Sequence, residues 1–171
     1  MAYCSGMIMK KIGVIFAALI IMLVSCKSDP DAIRQPPSGG VTVSQAQYDA
    51  TMREVQQFIT DLNNVIRNRD YPSYRAALSQ ARLNEISSQD FLQRVSQQPA
   101  MISQGITLKT AEDYFNHVVV PARANNRIDE RVDDLEFINR NRVVAYTIDT
   151  NGRRLRLYDL EKIGNSWKIT N

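Results

Sequence analysis

An α+β domain, helices first and an antiparallel sheet after, is the fold class this sequence predicts, and three observations predict it. Apolar residues recur at helical spacing from Tyr48 to Ile66. Caps and breakers then divide the chain into shorter helical pieces as far as Pro121. Beyond about Arg131 the chain turns β-rich around two turn dipeptides, Asn151-Gly152 and Gly164-Asn165.

The first helix opens at Ser44, which with Gln47 makes a capping-box pattern. Tyr48, Met52, Val55, Ile59, Leu62 and Ile66 follow as one stripe, widened by Phe58 and Val65, with Arg53, Gln56, Asp61 and Asn63 on other faces. Asn68-Arg69-Asp70 breaks it. Asp70 is set to cap a short second helix with Pro72 in its first turn, where a missing N–H costs nothing, and with Tyr71, Tyr74 and Leu78 along it. A third is expected from Ser87 or Ser88, with Phe91, Leu92 and Val95 inward and Pro99 as its end. Residues 101–109 read as irregular. Thr110 and Asp113 form another capping pattern, opening a helix through Tyr114, Phe115, His117 and Val118 that should stop or kink before Pro121.

Val132, Leu135, Phe137 and Ile138 supply the first strand, turning at 139–142 into Val143–Ile148. A two-residue loop at Asn151-Gly152 would pair Ile148 with Leu155 and Tyr146 with Leu157 on one face, and Asp149 with Arg154 and Thr147 with Arg156 on the other. Gly164-Asn165 turns a second hairpin that sets Leu160 opposite Ile169 and Lys162 opposite Trp167. The apolar phase slips between Leu157 and Tyr158, which predicts a β-bulge or sharp bend there.

Ahead of the domain stand Lys10 and Lys11, an uncharged apolar run from Ile12 to Val24, and then Leu23-Val24-Ser25-Cys26. The run is too short for a bilayer core of about 30 Å. Basic start, apolar middle and small-residue end have the form of an export signal. LVSC resembles the lipobox of bacterial lipoproteins, which implies removal of residues 1–25 and lipidation (palmitate among the acyl chains) at Cys26. An uncleaved anchor or a buried helix is the plainer alternative. Met7 or Met9 would give the signal a more ordinary start. Residues 26–43, with Asp29-Pro30, Pro36-Pro37 and Ser38-Gly39-Gly40, read as the lipidated cysteine and a flexible tether, reaching about 20–25 Å. Residues 44–171 form the single domain. Lys27 after the cysteine favours the outer membrane over the inner in the common sorting rule. Two or more acyl chains hold stably where one holds only reversibly.

The 171 residues carry 21 basic and 18 acidic side chains, and losing Lys10 and Lys11 leaves the processed chain nearly neutral. With no basic excess, nucleic acid is not an expected partner. Cys4 and Cys26 are the cysteines and His117 the histidine, so an acylated Cys26 leaves no disulfide, and neither a metal centre nor another cofactor is expected.

Phe58–Ser79 (FITDLNNVIRNRDYPSYRAALS) and the closing strands VVAYTID and RRLRLYDLEKIGNSWKIT resemble the nuclear-transport-factor-two-like (cystatin-like) superfamily over roughly residues 45–171. The resemblance implies helices packed on a strongly bent sheet, a cone with a concave pocket, and frequent homodimers. Superfamily enzymes place acids, tyrosines or a histidine in that cone. His117 and Tyr114 are the weak catalytic candidates here, with Tyr71, Tyr74 and Asp113 near them. Asp113 is more simply the partner of Thr110, and His117 a structural residue near a helix end. No nucleophile–base pair or phosphate loop is visible.

Pocket candidates are Phe58, Tyr71, Tyr74, Phe115, Tyr146 and Trp167; Arg140, Arg142, Arg154 and Arg156, with Arg153, form a basic cluster on the hairpins. That cluster could face anionic headgroups, a polysaccharide or an acidic partner, but an acidic run just upstream, Asp129 to Glu136, makes local pairing the simpler reading. The resulting expectation is a membrane-anchored, non-catalytic envelope lipoprotein that binds a small apolar ligand or a protein partner through its cone. An adapter using the outer sheet face is the alternative, and an isomerase- or dehydratase-like enzyme built on His117 comes third.

Overall fold

The computed structural model describes residues 33–34, 41–124 and 131–171. The expected signal peptide, Cys26 and most of the expected tether lie outside the described residues. Two short strands come first, β1 (Ile33–Arg34) and β2 (Val43–Ser44), paired antiparallel so that Ile33 faces Ser44.

Helix α1 (Gln45–Arg67) begins where Ser44 Oγ accepts the Gln47 N–H. Its expected stripe is the inward one: Tyr48, Val55, Ile59, Leu62 and Ile66 are buried and Met52 and Phe58 pack against the same core. Asp70 caps α2 (Tyr71–Ala77) by accepting the Ser73 N–H, with Pro72 in the first turn. Three departures from the sequence reading follow. Gln80–Ile86 forms a helix, α3, capped by Ser79 on the Arg82 N–H. Arg82 stands where a capping box would have Glu or Gln, so the usual signature is absent. Helix α4 (Gln89–Ser96) is capped by Ser88 as expected but stops before Pro99, which instead opens a short helix α5 (Pro99–Ser103). Proline's fixed φ suits a first helical turn better than a last one.

The third departure is at Pro121. Thr110 and Asp113 close a reciprocal capping box on α6 (Ala111–Tyr114). The helix neither ends nor breaks beyond it: a π-helical turn, Phe115–Val119, runs into α7 (Val120–Ala124), which contains Pro121. The wider turn lets the Val120 N–H reach back to Phe115 O, so the helix carries on past a residue that has no N–H of its own.

The sheet is a four-stranded antiparallel meander in the order β3 (Asp134–Asn139), β4 (Arg142–Ile148), β5 (Arg154–Ile163), β6 (Ser166–Ile169). The α+β class stands. The second hairpin has the expected register, with Leu160 opposite Ile169 and Lys162 opposite Trp167. The bulge falls where expected: Tyr146 faces Arg156 and Ala145 faces Tyr158, leaving Leu157 as the extra residue.

The first hairpin is one residue out of the expected register. Ile148 faces Arg154 and Thr147 faces Leu155. The Gly152 N–H donates to Asp149 O, and Gly152 has φ of 77° while Asn151 does not share a positive φ. A two-residue loop needs positive φ at both central positions; this three-residue loop needs one. Asp149 Oδ1 accepts the Asn151 and Arg153 N–H groups and holds it closed. Asp149 therefore pairs with Arg153, at 2.7 Å, and not with Arg154. Ile138, on the face of β3 opposite Leu135 and Phe137, is exposed.

Leu135, Phe137, Val143, Ala145 and Leu160 form the buried sheet face against the helices, with Phe115, Ile59 and Ile66 filling the layer between. Leu78 bridges in parallel to Ile169, and Ser79 N–H donates to Ile169 O, so the segment between α2 and α3 covers the end of β6. No described helix is long and apolar enough to cross a membrane.

Candidate functional site

Two concavities flank this core. The smaller, about 190 Å³, lies between the helices and the inner face of the sheet. Tyr74 comes from α2, Arg82 from α3, Tyr114 from α6, Val118 and Val119 from the π turn, and Tyr158 from β5; Arg123 of α7 and Ile169 of β6 complete much of the wall. Local devices aim these side chains. The bulge at Leu157 restores Tyr158 to the inner face, opposite buried Ala145. The π turn shifts the phase of the helix so that Tyr114, Val118 and Arg123 share one wall.

The charged side chains of the lining are arginines. Two guanidinium groups and three phenols line the cavity, and no carboxylate side chain does. The Arg123 guanidinium carbon lies 4.7 Å from the centroid of the Tyr158 ring. Arg82 Nη1 donates to Glu85 Oε2 at 2.7 Å, a carboxylate outside the lining. Burial pushes the Tyr74 phenol well above the ordinary tyrosine range; the Tyr114 and Tyr158 phenols add to this and the two arginines oppose it. Tyr74 is thus a neutral phenol at physiological pH.

The larger concavity, about 850 Å³, is an open groove between α1 and the β5–β6 hairpin, with Phe58, Trp167 and Ala77 among its walls. Its charges satisfy one another. Glu54 Oε2 accepts Lys162 Nζ at 2.6 Å and Trp167 Nε1 at 3.1 Å, and the lysine's hydrogen bond is the chief cause that holds this carboxyl below its usual range. Lys168 Nζ donates to Ala76 O.

The residues singled out in the sequence scatter. Tyr74 and Tyr114 meet at the cavity, while Phe58 and Trp167 line the groove. Phe115 is wholly buried, its ring centroid 4.6 Å from that of Tyr74 and 5.8 Å from that of Tyr71. Tyr146 lies on the opposite sheet face beneath Arg154, 3.6 Å from the guanidinium carbon to the ring centroid. His117 is exposed on the π turn and lines neither concavity. Asp113 Oδ2 accepts the Lys109 and Thr110 N–H groups. Arg82, Arg123 and Tyr158 are the cavity residues that sequence reasoning missed. They are dispersed over 77 positions' worth of chain folded through three elements, and no local spacing marks them.

The basic cluster divides into local pairs. Arg154 Nη2 lies 2.8 Å from Asp134 Oδ2 and Nη1 3.4 Å from Glu136 Oε2, Arg156 pairs with Asp159, and Arg140 and Arg142 are exposed at the β3–β4 turn. Among the described residues no three His, Cys, Asp or Glu side chains come together as a metal site.

Asp113 allows a test of the capping geometry. The Lys109 N–H holds its carboxyl below the ordinary 3.8, partial burial opposes this, and Thr110 and His117 add to the lowering. A depressed carboxyl contributes stability above its ordinary value and loses it as pH falls through the folded value. Asp113→Asn should therefore cost up to about 1 kcal/mol at pH 7. In urea titrations the gap from the wild type should shrink below pH 3.8.

Over 131 residues the chain is 34% identical to an uncharacterized lipoprotein of Treponema pallidum (strain Nichols), covering 77% of this chain and 66% of that protein. This kinship supports a lipoprotein. The chain spans just under two thirds of that relative's length. No family model and no solved structure matches the chain. A lipid-anchored envelope protein is what this relationship supports.

Proposed function

We propose that this is a non-catalytic lipoprotein, anchored through Cys26, whose domain holds a small ligand in the 190 Å³ cavity between helices and sheet. Helices followed by a bulged antiparallel meander, with a concavity on the inner sheet face, suit the nuclear-transport-factor-two-like build. The observation that carries the reading is the convergence of Arg82, Arg123 and three tyrosines from five separate elements on one partly enclosed space. A few convergent polar groups set in an aromatic and aliphatic wall are the usual make-up of a ligand site. Those arginines move the ligand away from the wholly apolar molecule expected from sequence. The catalytic reading has little support, because exposed His117 is not joined to Tyr114 in a pocket.

The adapter alternative needs an apolar patch on the outer sheet face. Much of that face is taken instead by Asp134, Glu136, Tyr146 and Arg154 in contact with one another and by the Arg156–Asp159 pair. The anchor is tested by fractionation: Cys26→Ala should move the chain out of the membrane pellet, and an unchanged distribution would refute lipidation there. For the ligand, the chain is released from its own envelope in mild detergent and its native mass spectrum recorded. A reproducible extra mass that disappears on denaturation is expected, and a bare chain in every preparation would count against the reading.

A further inference from the structure

Resting on the reading of Cys26 as the point of lipid attachment, we propose that the end of the sheet bearing the β3–β4 and β5–β6 turns docks on the membrane surface, with Arg140 and Arg142 on anionic lipid headgroups and Ile138 and Ile163 at the headgroup boundary. The two turns form one tip. Asn139 Oδ1 accepts the Asn141 N–H at 2.8 Å, and Lys162 N–H donates to Asn141 O at 2.7 Å, so the first turn is closed on itself and tied to the second hairpin. Ile138 is 46% exposed and Ile163 52%, on strands two places apart and so about 10 Å from each other across the sheet. Arg140, in the turn, and Arg142, on the strand between, are exposed, and among the described residues neither makes an ion pair. Glu161, the acid opposite Arg142, stands between it and Lys168 in register, which leaves the tip with a positive excess.

The path of the chain brings this tip to the membrane. Val41 N–H donates to Phe137 O at 2.7 Å, so the chain running from Cys26 into α1 passes beside the neighbour of Ile138, with Val41 itself exposed. Ile33 pairs with Ser44, about 10 Å along the chain from Val41. Residues 27–32 separate Ile33 from Cys26, a stretch of at most about 25 Å, so the anchor reaches the level of the tip. Reach alone does not choose an end of the sheet; charge does. Ile148 and Leu155 are exposed at the opposite end, but there Arg153 pairs with Asp149 and Arg131 with Asp133. Guanidinium groups suit phosphate, and isoleucines suit the acyl boundary beneath it, where a polysaccharide would take the arginines alone. Two arginines and two isoleucines are too few to hold a free protein on a membrane. The anchor makes docking intramolecular, so a weak contact suffices.

The test places an environment-sensitive dye on Ile163→Cys, or on Ile148→Cys as the control, in the full acylated chain, where Cys26 carries no free thiol. The chain is reconstituted on vesicles of phosphatidylcholine, alone or mixed with phosphatidylglycerol. Flotation reads the anchor and dye emission reads the docking. The chain is expected to float with both vesicles, and the Ile163 dye to shift to the blue on the anionic ones alone while the Ile148 dye does not move. Arg140→Gln with Arg142→Gln, two exposed residues, should lower the docked-to-free ratio by about tenfold or more, and added salt should act the same way. A floating chain whose Ile163 dye stays unshifted would overturn the docking and leave the anchor standing. An equal shift on neutral vesicles, or one that survives the double arginine change, would overturn the recognition of headgroups. An equal shift of the Ile148 dye would overturn the orientation. Failure to float with neutral vesicles would refute the anchor, and the proposal that rests on it.

Discussion

Phe115→Ala should cost the domain about 3–5 kcal/mol, measured as the shift of its urea unfolding curve at pH 7. Phe115 is fully buried and is the largest side chain of the core to be so. Its ring lies among those of Tyr71 and Tyr74, and it opens the π turn that carries the helix past Pro121. Truncation removes the transfer energy of the ring and leaves a hole in a layer held by α1 on one side and the sheet on the other. Domains of this size are stable by about 5–15 kcal/mol, so the variant should be marginal at 37 °C. Phe115→Leu, which keeps much of the volume, should lose far less. A loss below about 1.5 kcal/mol for the alanine variant would mean that the helix does not pack on the sheet in this way.

Arg154→Ala should cost about 2 kcal/mol, less than a fully buried pair because the side chain keeps 28% of its exposure. Arg154 lies flat on Tyr146 and bridges Asp134 and Glu136, two carboxylates two residues apart on one face of β3. Without the guanidinium those carboxylates face each other, and Tyr146, whose hydroxyl donates to Glu136 Oε2, loses its cover. Arg154→Lys is expected to recover less than half of the loss, since an ammonium cannot cover the ring and bridge both acids at once. Full recovery by lysine would reduce the network to simple charge neutralisation. Thermal unfolding of the two variants side by side separates these outcomes.

Much of the fold was legible because its signals are local. Ser44, Asp70, Ser88 and Thr110 cap the helices they were expected to cap, and the apolar phase slip at Leu157 marked the bulge. The misses have physical reasons too. At Asn151-Gly152 the dipeptide announces a turn, but the loop length is decided by Asp149, whose side chain closes three residues instead of two. Pro121 usually ends a helix; here the wider π turn absorbs its missing N–H. The candidate site was least legible of all. Tyr74 and Tyr114 came from their helical positions, whereas Arg82 belongs to a helix without a capping-box signature, Arg123 follows the unforeseen π turn, and Tyr158 reaches the cavity only through the bulge.

The central claim, that this chain binds a ligand and holds it in the cavity and not the groove, is tested most directly by two surface variants in native mass spectrometry. Ala122, exposed at the cavity, and Gln57, exposed at the groove, can each be changed to tryptophan without entering the core. The account predicts that the extra mass carried by the wild type persists in Gln57→Trp and vanishes in Ala122→Trp. An extra mass that survives Ala122→Trp, or is lost with Gln57→Trp, would contradict it.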